Sequence, residues 1–327
     1  MKRAVSILAV LAIALAAIVL TAILLGSEAL PIFETLRSLL GLSSDLSEQQ
    51  TAILWEIRLP RVLLGASVGA CLAMAGASYQ ALLRNPLAEP YLLGVSNGAA
   101  LGTMFALVFF GNLIAMRPIL AFVGAAVATA TVYFLARSRA GTSAERLVLS
   151  GVIVTTFLSS TIVLITSLLD ATRLRTFTFW LLGDLSGANA AGFYIAFAAA
   201  IFGLIVLTFN ARSLNLMMIG ERDAFDFGVA VARVRLVIFA TASALVGASV
   251  AASGSVGYVG LIVPHWIRLA IGSDNRLVLP ASAIVGAAFV VLADTIARTA
   301  IAPRELPVGA ITAVLGAPLF VYLLRRN

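Results

Sequence analysis

Long apolar runs alternate with short polar breaks along the whole chain. The first run, Ala4 to Leu25, is longer than the 7–15 residue core of a secretory signal and can cross a hydrocarbon layer about 30 Å thick. Further runs start near Arg58, Pro90, Pro118, Arg146, Ala191, Leu236, Val256, Leu277 and Leu306, and the last ends at Leu324. The pattern predicts ten membrane-spanning helices. The polar stretch Gly26 to Leu59 reads as an external loop with some amphipathic helix. Asp170 to Ala190 and Asn210 to Arg235 read as further polar segments.

The break from Gln80 to Gly102 organises the first half. Arg84, Asn85, Pro86, Glu89 and Pro90 interrupt the apolar pattern, and the two prolines push their preceding residues out of helical geometry. Gly94, Ser96, Asn97, Gly98 and Gly102 then open the next run with small residues that suit a tight turn and close packing. In the preceding run, Gly65 and Gly69, followed by Ala73 and Gly76, offer a small-residue face for another helix.

Composition narrows the class. The 327 residues are 61% hydrophobic and 11% charged, against about 25% charged in soluble domains, so too few charges are available to cover a water-facing surface. The net charge is +7, carried by arginine apart from Lys2. With ten spans, 14 of the 22 basic residues fall on the side holding both termini, which predicts an N-in, C-in chain. No basic patch interleaves with aromatics in the way single-stranded nucleic acid requires. Ten spans divide into five and five, so the second half is expected to be inverted relative to the first.

Several chemistries are excluded. One Cys (Cys71) rules out an internal disulfide, and one His (His265) leaves no histidine–cysteine metal site. The only lysine, Lys2, cannot belong to a phosphate-binding Gly-Lys-Ser/Thr loop, so this chain does not bind ATP that way. No catalytic constellation can be assembled, and the expectation is a non-enzyme without bound cofactor. Asp294 is the one acid in or near a span, and it sits one helical turn from Arg298. Ion-coupled secondary transport, which usually places ionisable groups at mid-membrane, is a poor match.

Three groups of residues carry candidate functions. In the Asn210–Arg235 segment, apolar Leu214, Met217, Met218, Phe225 and Phe227 alternate with Glu221, Arg222, Asp223 and Asp226, and Gly220 and Gly228 read as helix ends. This predicts short amphipathic helices within 212–230, either lying on the membrane surface or docking a soluble partner. In the fifth span, Thr156, Ser160 and Ser167 share a helical face. They either line a path or bond back to their own helix. Outside, Arg58, Arg61, Arg298 and Arg304 make an excess of positive charge.

The stretches RLPRVLLGASVGACLAMAGASYQALLRNPLAEPYLLGVSNGAALG (58–102), IGERDAFDFGV, GSVGYVGLIVPHWIRLAIGSDNRLVLPASAIVGAAFVVLADTIAR (254–298) and ELPVGAITAVLGAPLFVYLL (305–324) together resemble the FecCD family, the BtuC-like permeases of type II ABC importers. The resemblance spans almost the whole chain and implies a single permease domain over 1–327. It implies an all-α multi-pass fold in the bacterial cytoplasmic (inner) membrane, a second permease copy, two separate ATP-binding subunits holding ATP and Mg, and an extracytoplasmic substrate-binding protein. Family cargoes are iron–siderophores, haem and cobalamin; iron–siderophore is the first expectation here. By the same resemblance, Leu214, Met217, Gly220, Glu221, Ala224, Phe225 and Gly228 belong to the ATPase-coupling helices. Arg58, Arg61 and Arg298 are expected to receive acids of the binding protein, and Thr142 and Ser143 to form an inner gate. One departure is Asn275, where the family usually has His; on a surface loop no cost is expected.

Overall fold

The computed structural model describes residues 2–26, 28–111, 113, 115–138, 142–302 and 304–326, with side chains described from 4 to 318. Arg139 lies outside the described residues, as do the side chains of Lys2, Arg3, Arg325 and Arg326, so these five of the basic residues counted toward the inner side are not placed.

The chain is helical almost throughout. α1 (Lys2–Leu24) is followed by the short α2 (Ile32–Leu39) and α3 (Glu48–Ala52). A π-helical stretch over Ile53–Arg58 then runs into α4 (Leu59–Leu82). A 3-10 turn at Pro90–Leu93 precedes α5 (Val95–Phe109), α6 (Met116–Ala136), α7 (Ala144–Thr166), α8 (Ala171–Leu181) and α9 (Ala190–Phe209). Two short helices, α10 (Ala211–Ile219) and α11 (Glu221–Asp226), lead into α12 (Val231–Ser253), α13 (Val259–Ile271), α14 (Asn275–Thr299) and α15 (Val308–Arg326). Seven helices are long and apolar enough to cross a membrane, and α5, α13 and the described part of α15 are shorter apolar helices, in line with the ten predicted spans.

α8 departs from the sequence reading, which treats 170–190 as a polar segment. Asp170 caps the helix by accepting the Arg173 amide at 2.9 Å. Phe177 is buried with Ala100, Met104 and Leu107 of α5. One apolar face among threonines and arginines is enough to dock a helix that composition alone reads as loop.

α4 is the central helix, and it packs against α14, α12, α9 and α13. Without a hydrophobic drive between helices in lipid, backbone proximity sets their packing. A Cβ at Gly69 would overlap the Gly286 carbonyl oxygen, and one at Gly76 would overlap that of Gly260. Gly65, the first residue of the small-residue motif, has ordinary space: its Cβ would sit 3.4 Å from Leu185 Cδ1. α5 and α6 approach as closely, since a Cβ at Gly102 would overlap the Leu120 carbonyl oxygen.

The two sequence breaks meet. Gln80 Nε2 donates to the Leu261 carbonyl at 3.0 Å, and Tyr91 Oη donates to the Val256 carbonyl at 2.8 Å while accepting the Val256 amide at 2.9 Å. Gly94 turns the chain into α5 at φ 77°, a left-handed conformation that glycine adopts without strain. Burial pushes the Glu89 carboxyl above its ordinary pKa, against a hydrogen bond from the Tyr258 amide.

Candidate coupling, translocation and docking sites

Three surfaces hold the predicted residues. At the end bearing α10 and α11, Leu214, Met217 and Ala224 are buried. They attach the two short helices to the core, so within the expected coupling segment their part is to hold it in place. The outward groups are Ile219, Phe225 and Phe227, exposed by 73, 71 and 75%. Ile219 escapes a sequence reading because it closes α10 at the edge of the amphipathic pattern. Gly220 is extended at φ −178°, so its backbone does not require glycine; Gly228, at φ 82°, sits where glycine is favoured.

A polar latch pins α10. Asn215 Oδ1 accepts the Asn275 amide at 2.9 Å and Asn275 Nδ2 at 2.8 Å, and Asn215 Nδ2 donates to Asp274 Oδ1 at 2.7 Å. Arg268 Nη2 donates to Asn275 Oδ1 at 2.9 Å and to the Ala77 carbonyl of α4 at 3.0 Å. Asn275 is therefore fully buried, not on a surface loop, which corrects the sequence expectation. The loop looks exposed in sequence because Ser273, Asp274 and Arg276 surround it. Burial pushes the Asp274 carboxyl up, but hydrogen bonds from Asn215 and the Arg276 amide hold it below its ordinary pKa. Its contribution to the latch is thus present above the ordinary carboxylate range and lost as pH falls through the depressed value. Asn275→Ala removes the Arg268–Asn275 and Asn275–Asn215 side-chain bonds from a buried site, while the bonds to Ala77, Asp274 and the position-275 amide remain, and is expected to cost about 1–3 kcal/mol, read as a lower unfolding midpoint in detergent.

After α1, α7 is the least covered of the seven long apolar helices, with 17% of its most apolar stretch buried. Thr156, Ser160 and Ser167 are exposed, and each hydroxyl donates to its own helix, to Val152, Thr156 and Leu164 carbonyls at 2.9, 2.9 and 2.7 Å. Of the two readings open from sequence, back-bonding is the one seen. The face they leave is weakly polar, with no free donor aimed outward. Ser143 caps α7 by accepting the Arg146 amide at 3.3 Å, and the neighbouring Thr142 carbonyl accepts from Arg235 Nη1.

At the opposite end, Arg58, Arg61 and Arg298 are 5, 7 and 6% exposed. The sequence reading puts these guanidinium groups on the surface; the structure turns them inward, because α1 ends among them. Arg58 Nη1 donates to the Ile23 and Leu24 carbonyls at 3.1 Å each, Arg58 Nη2 donates to the Glu28 carbonyl, and Arg298 donates to the Leu25 carbonyl at 2.8 Å and to that of Ala22. The last carbonyls of a helix lack intrahelical partners and carry partial negative charge, so two cations satisfy both needs. Gly26 leaves room for this: its Cβ would collide with the Arg58 guanidinium. Arg61 holds Asp294 through two bonds, Nη2–Oδ1 at 2.9 Å and Nε–Oδ2 at 3.1 Å, and reaches Glu305 Oε2 at 2.9 Å. The predicted Asp294–Arg298 pair exists at 3.6 Å but is the looser contact. Arg61 lies 233 residues away, beyond any local pattern.

The FecCD transport family profile matches residues 13–326. The chain belongs to the FecCD transport family. A cobalamin import permease, BtuC of Halobacterium salinarum, is 43% identical over 281 residues, covering 85% of this chain and 74% of its own. The hemin transport permease HmuU of Yersinia pestis is 39% identical over 281 residues, 83% of this chain and 82% of its own. A solved metal-chelate type ABC transporter, in an inward-facing conformation, superposes with a TM-score of 0.87 at 31% identity, covering 98% of this chain and 99% of that one. As a FecCD member the chain is a multi-pass membrane permease, the transport component and not a catalytic subunit.

Proposed function

We propose that this chain is the membrane subunit of an ABC importer that carries an organic metal chelate inward. It acts as two copies with two separate ATP-binding subunits, which hold ATP and Mg, and an external binding protein. The observation that carries the reading is the pinned platform of α10 and α11. It presents Ile219, Phe225 and Phe227 beside a chain whose only lysine is Lys2, so nucleotide chemistry must come from a docked partner. The relatives carry cobalamin and hemin by name. The self-satisfied hydroxyls of α7 suit a bulky cargo that slides past without being held, and iron–siderophore is the first cargo to test, with cobalamin and haem the alternatives. Thr142 and Ser143, at the start of that helix, are the proposed gate.

In vesicles, uptake of the chelate should require internal ATP and added binding protein; uptake with neither would overturn the reading. Phe225→Asp should weaken ATPase docking by about 2 kcal/mol, roughly 30-fold, because an exposed aromatic that the docked ATPase would cover becomes a charge desolvated in the interface.

Of the three arginines expected to receive the binding protein, Arg61 is the one with an accessible partner. Arg58 and Arg298 are committed to α1, whereas the Glu305 side chain on Arg61 is 45% exposed and exchangeable for a partner's carboxylate. Glu305→Gln removes that competitor and should speed association of the binding protein, most clearly at low salt, where screening is weakest. Equal on-rates across a salt series would leave the arginines with helix-end packing alone.

A further inference from the structure

The two short helices are tethered differently. α10 is latched through Asn215 to the α13–α14 turn, and through Arg268 to α4, so it moves with the core. α11 has another tie. Its first residue, Glu221, forms an ion pair with Arg235 of α12, and the same guanidinium donates to the backbone carbonyl of Thr142, two residues before α7 begins. Arg235 is buried, while the Glu221 side chain is 36% exposed toward the platform. The Thr142 contact joins residues 93 apart in sequence, and neither contact caps or completes a helix.

We propose that Arg235 is a positioning residue that transmits displacement of α11 to the start of α7, coupling ATPase movement to the transport helix. A planar guanidinium suits this task, because its N–H groups leave at fixed angles and hold two partners in one geometry; a lysine ammonium on a flexible stem does not. Gly228, at φ 82°, and Gly220 bound α11, so it can turn against α10 without bending a helix. The inference rests on the reading of α10 and α11 as the ATPase platform.

The test uses the full permease with its ATPase subunit in nanodiscs. Thr142→Cys keeps the carbonyl that Arg235 holds, and Cys71, the only native cysteine, is buried and contributes little background. Maleimide labelling at position 142 is measured with and without ATP. In the Thr142→Cys parent the rate should change on adding ATP. In Arg235→Lys and Arg235→Gln the ATPase should still co-purify and hydrolyse ATP, while the change in labelling rate disappears and uptake falls by about tenfold. Glu221→Gln, which spares the Thr142 contact, should also abolish the change and serves if the Arg235 variants fail to fold. An undiminished ATP-dependent change in Arg235→Gln or Glu221→Gln overturns the relay, as does a parent without any change. Separately, undiminished ATPase co-purification with Phe225→Asp would show that the platform reading has failed, whatever the labelling result.

Discussion

Arg61→Met is expected to destabilise the permease by about 3 kcal/mol, the lower part of the range for breaking a buried ion pair. The side chain of Asp294 is 3% exposed and takes two bonds from Arg61. Removing the cation leaves that charge buried. Arg298 Nε, at 3.6 Å, then provides partial compensation, which argues against the upper part of the range. Glu305 loses its partner too but reaches solvent, so it adds little. The double variant Arg61→Met, Asp294→Asn should regain much of the loss, because the cost lies in the stranded carboxylate and not in the missing pair. Denaturant titration in mixed micelles reads both. Equal stability of Arg61→Met and the unmodified chain would show that Asp294 is hydrated or neutral in the membrane.

Gly76→Leu should prevent α4 and α13 from packing. The added Cβ overlaps the Gly260 carbonyl oxygen, a backbone atom fixed in α13's first turn. Relief requires helix separation and not a rotamer change, so the cost should reach or exceed the roughly 3 kcal/mol at the top of ordinary overpacking. Gly69→Leu should behave similarly against Gly286 of α14. Gly65→Ala is the control. Its methyl meets Leu185 Cδ1 at 3.4 Å, an ordinary contact, and replacing glycine in a helix returns about 0.5–1 kcal/mol. Monodisperse protein in detergent should therefore survive Gly65→Ala and be lost with Gly76→Leu. Equal yields from the two would mean that the α4–α13 approach is looser than described.

The contrast between Gly65 and Gly76 shows where sequence stops. Small residues at helical spacing announce a close approach, but not which of them faces the partner. α4 has neighbours on several sides, so its burial is not a single stripe with a readable period. The same limit hid Asn275. A polar residue between Asp and Arg reads as solvated, and only the arrival of Asn215 from α10 and Arg268 from α13 makes it a buried junction. Arg58 and Arg298 read as surface charge because arginine near a helix end usually is; here the end of α1, more than thirty residues before either arginine, supplies the carbonyls they cover.

Hydrophobic run length and the scarcity of charge determined the membrane class and the approximate number of apolar helices, because a bilayer punishes each polar group where it stands and that cost is local to the sequence. The polar breaks and the amphipathic 212–230 segment marked where the chain turns and where the short helices α10 and α11 form, for the same local reason. The partners of Arg61, Asp294, Arg235 and Asn275 were decided only by the tertiary structure. Each is a charge or amide removed from water whose satisfaction comes from another helix, and the sequence order of ten spans does not say which helix ends meet.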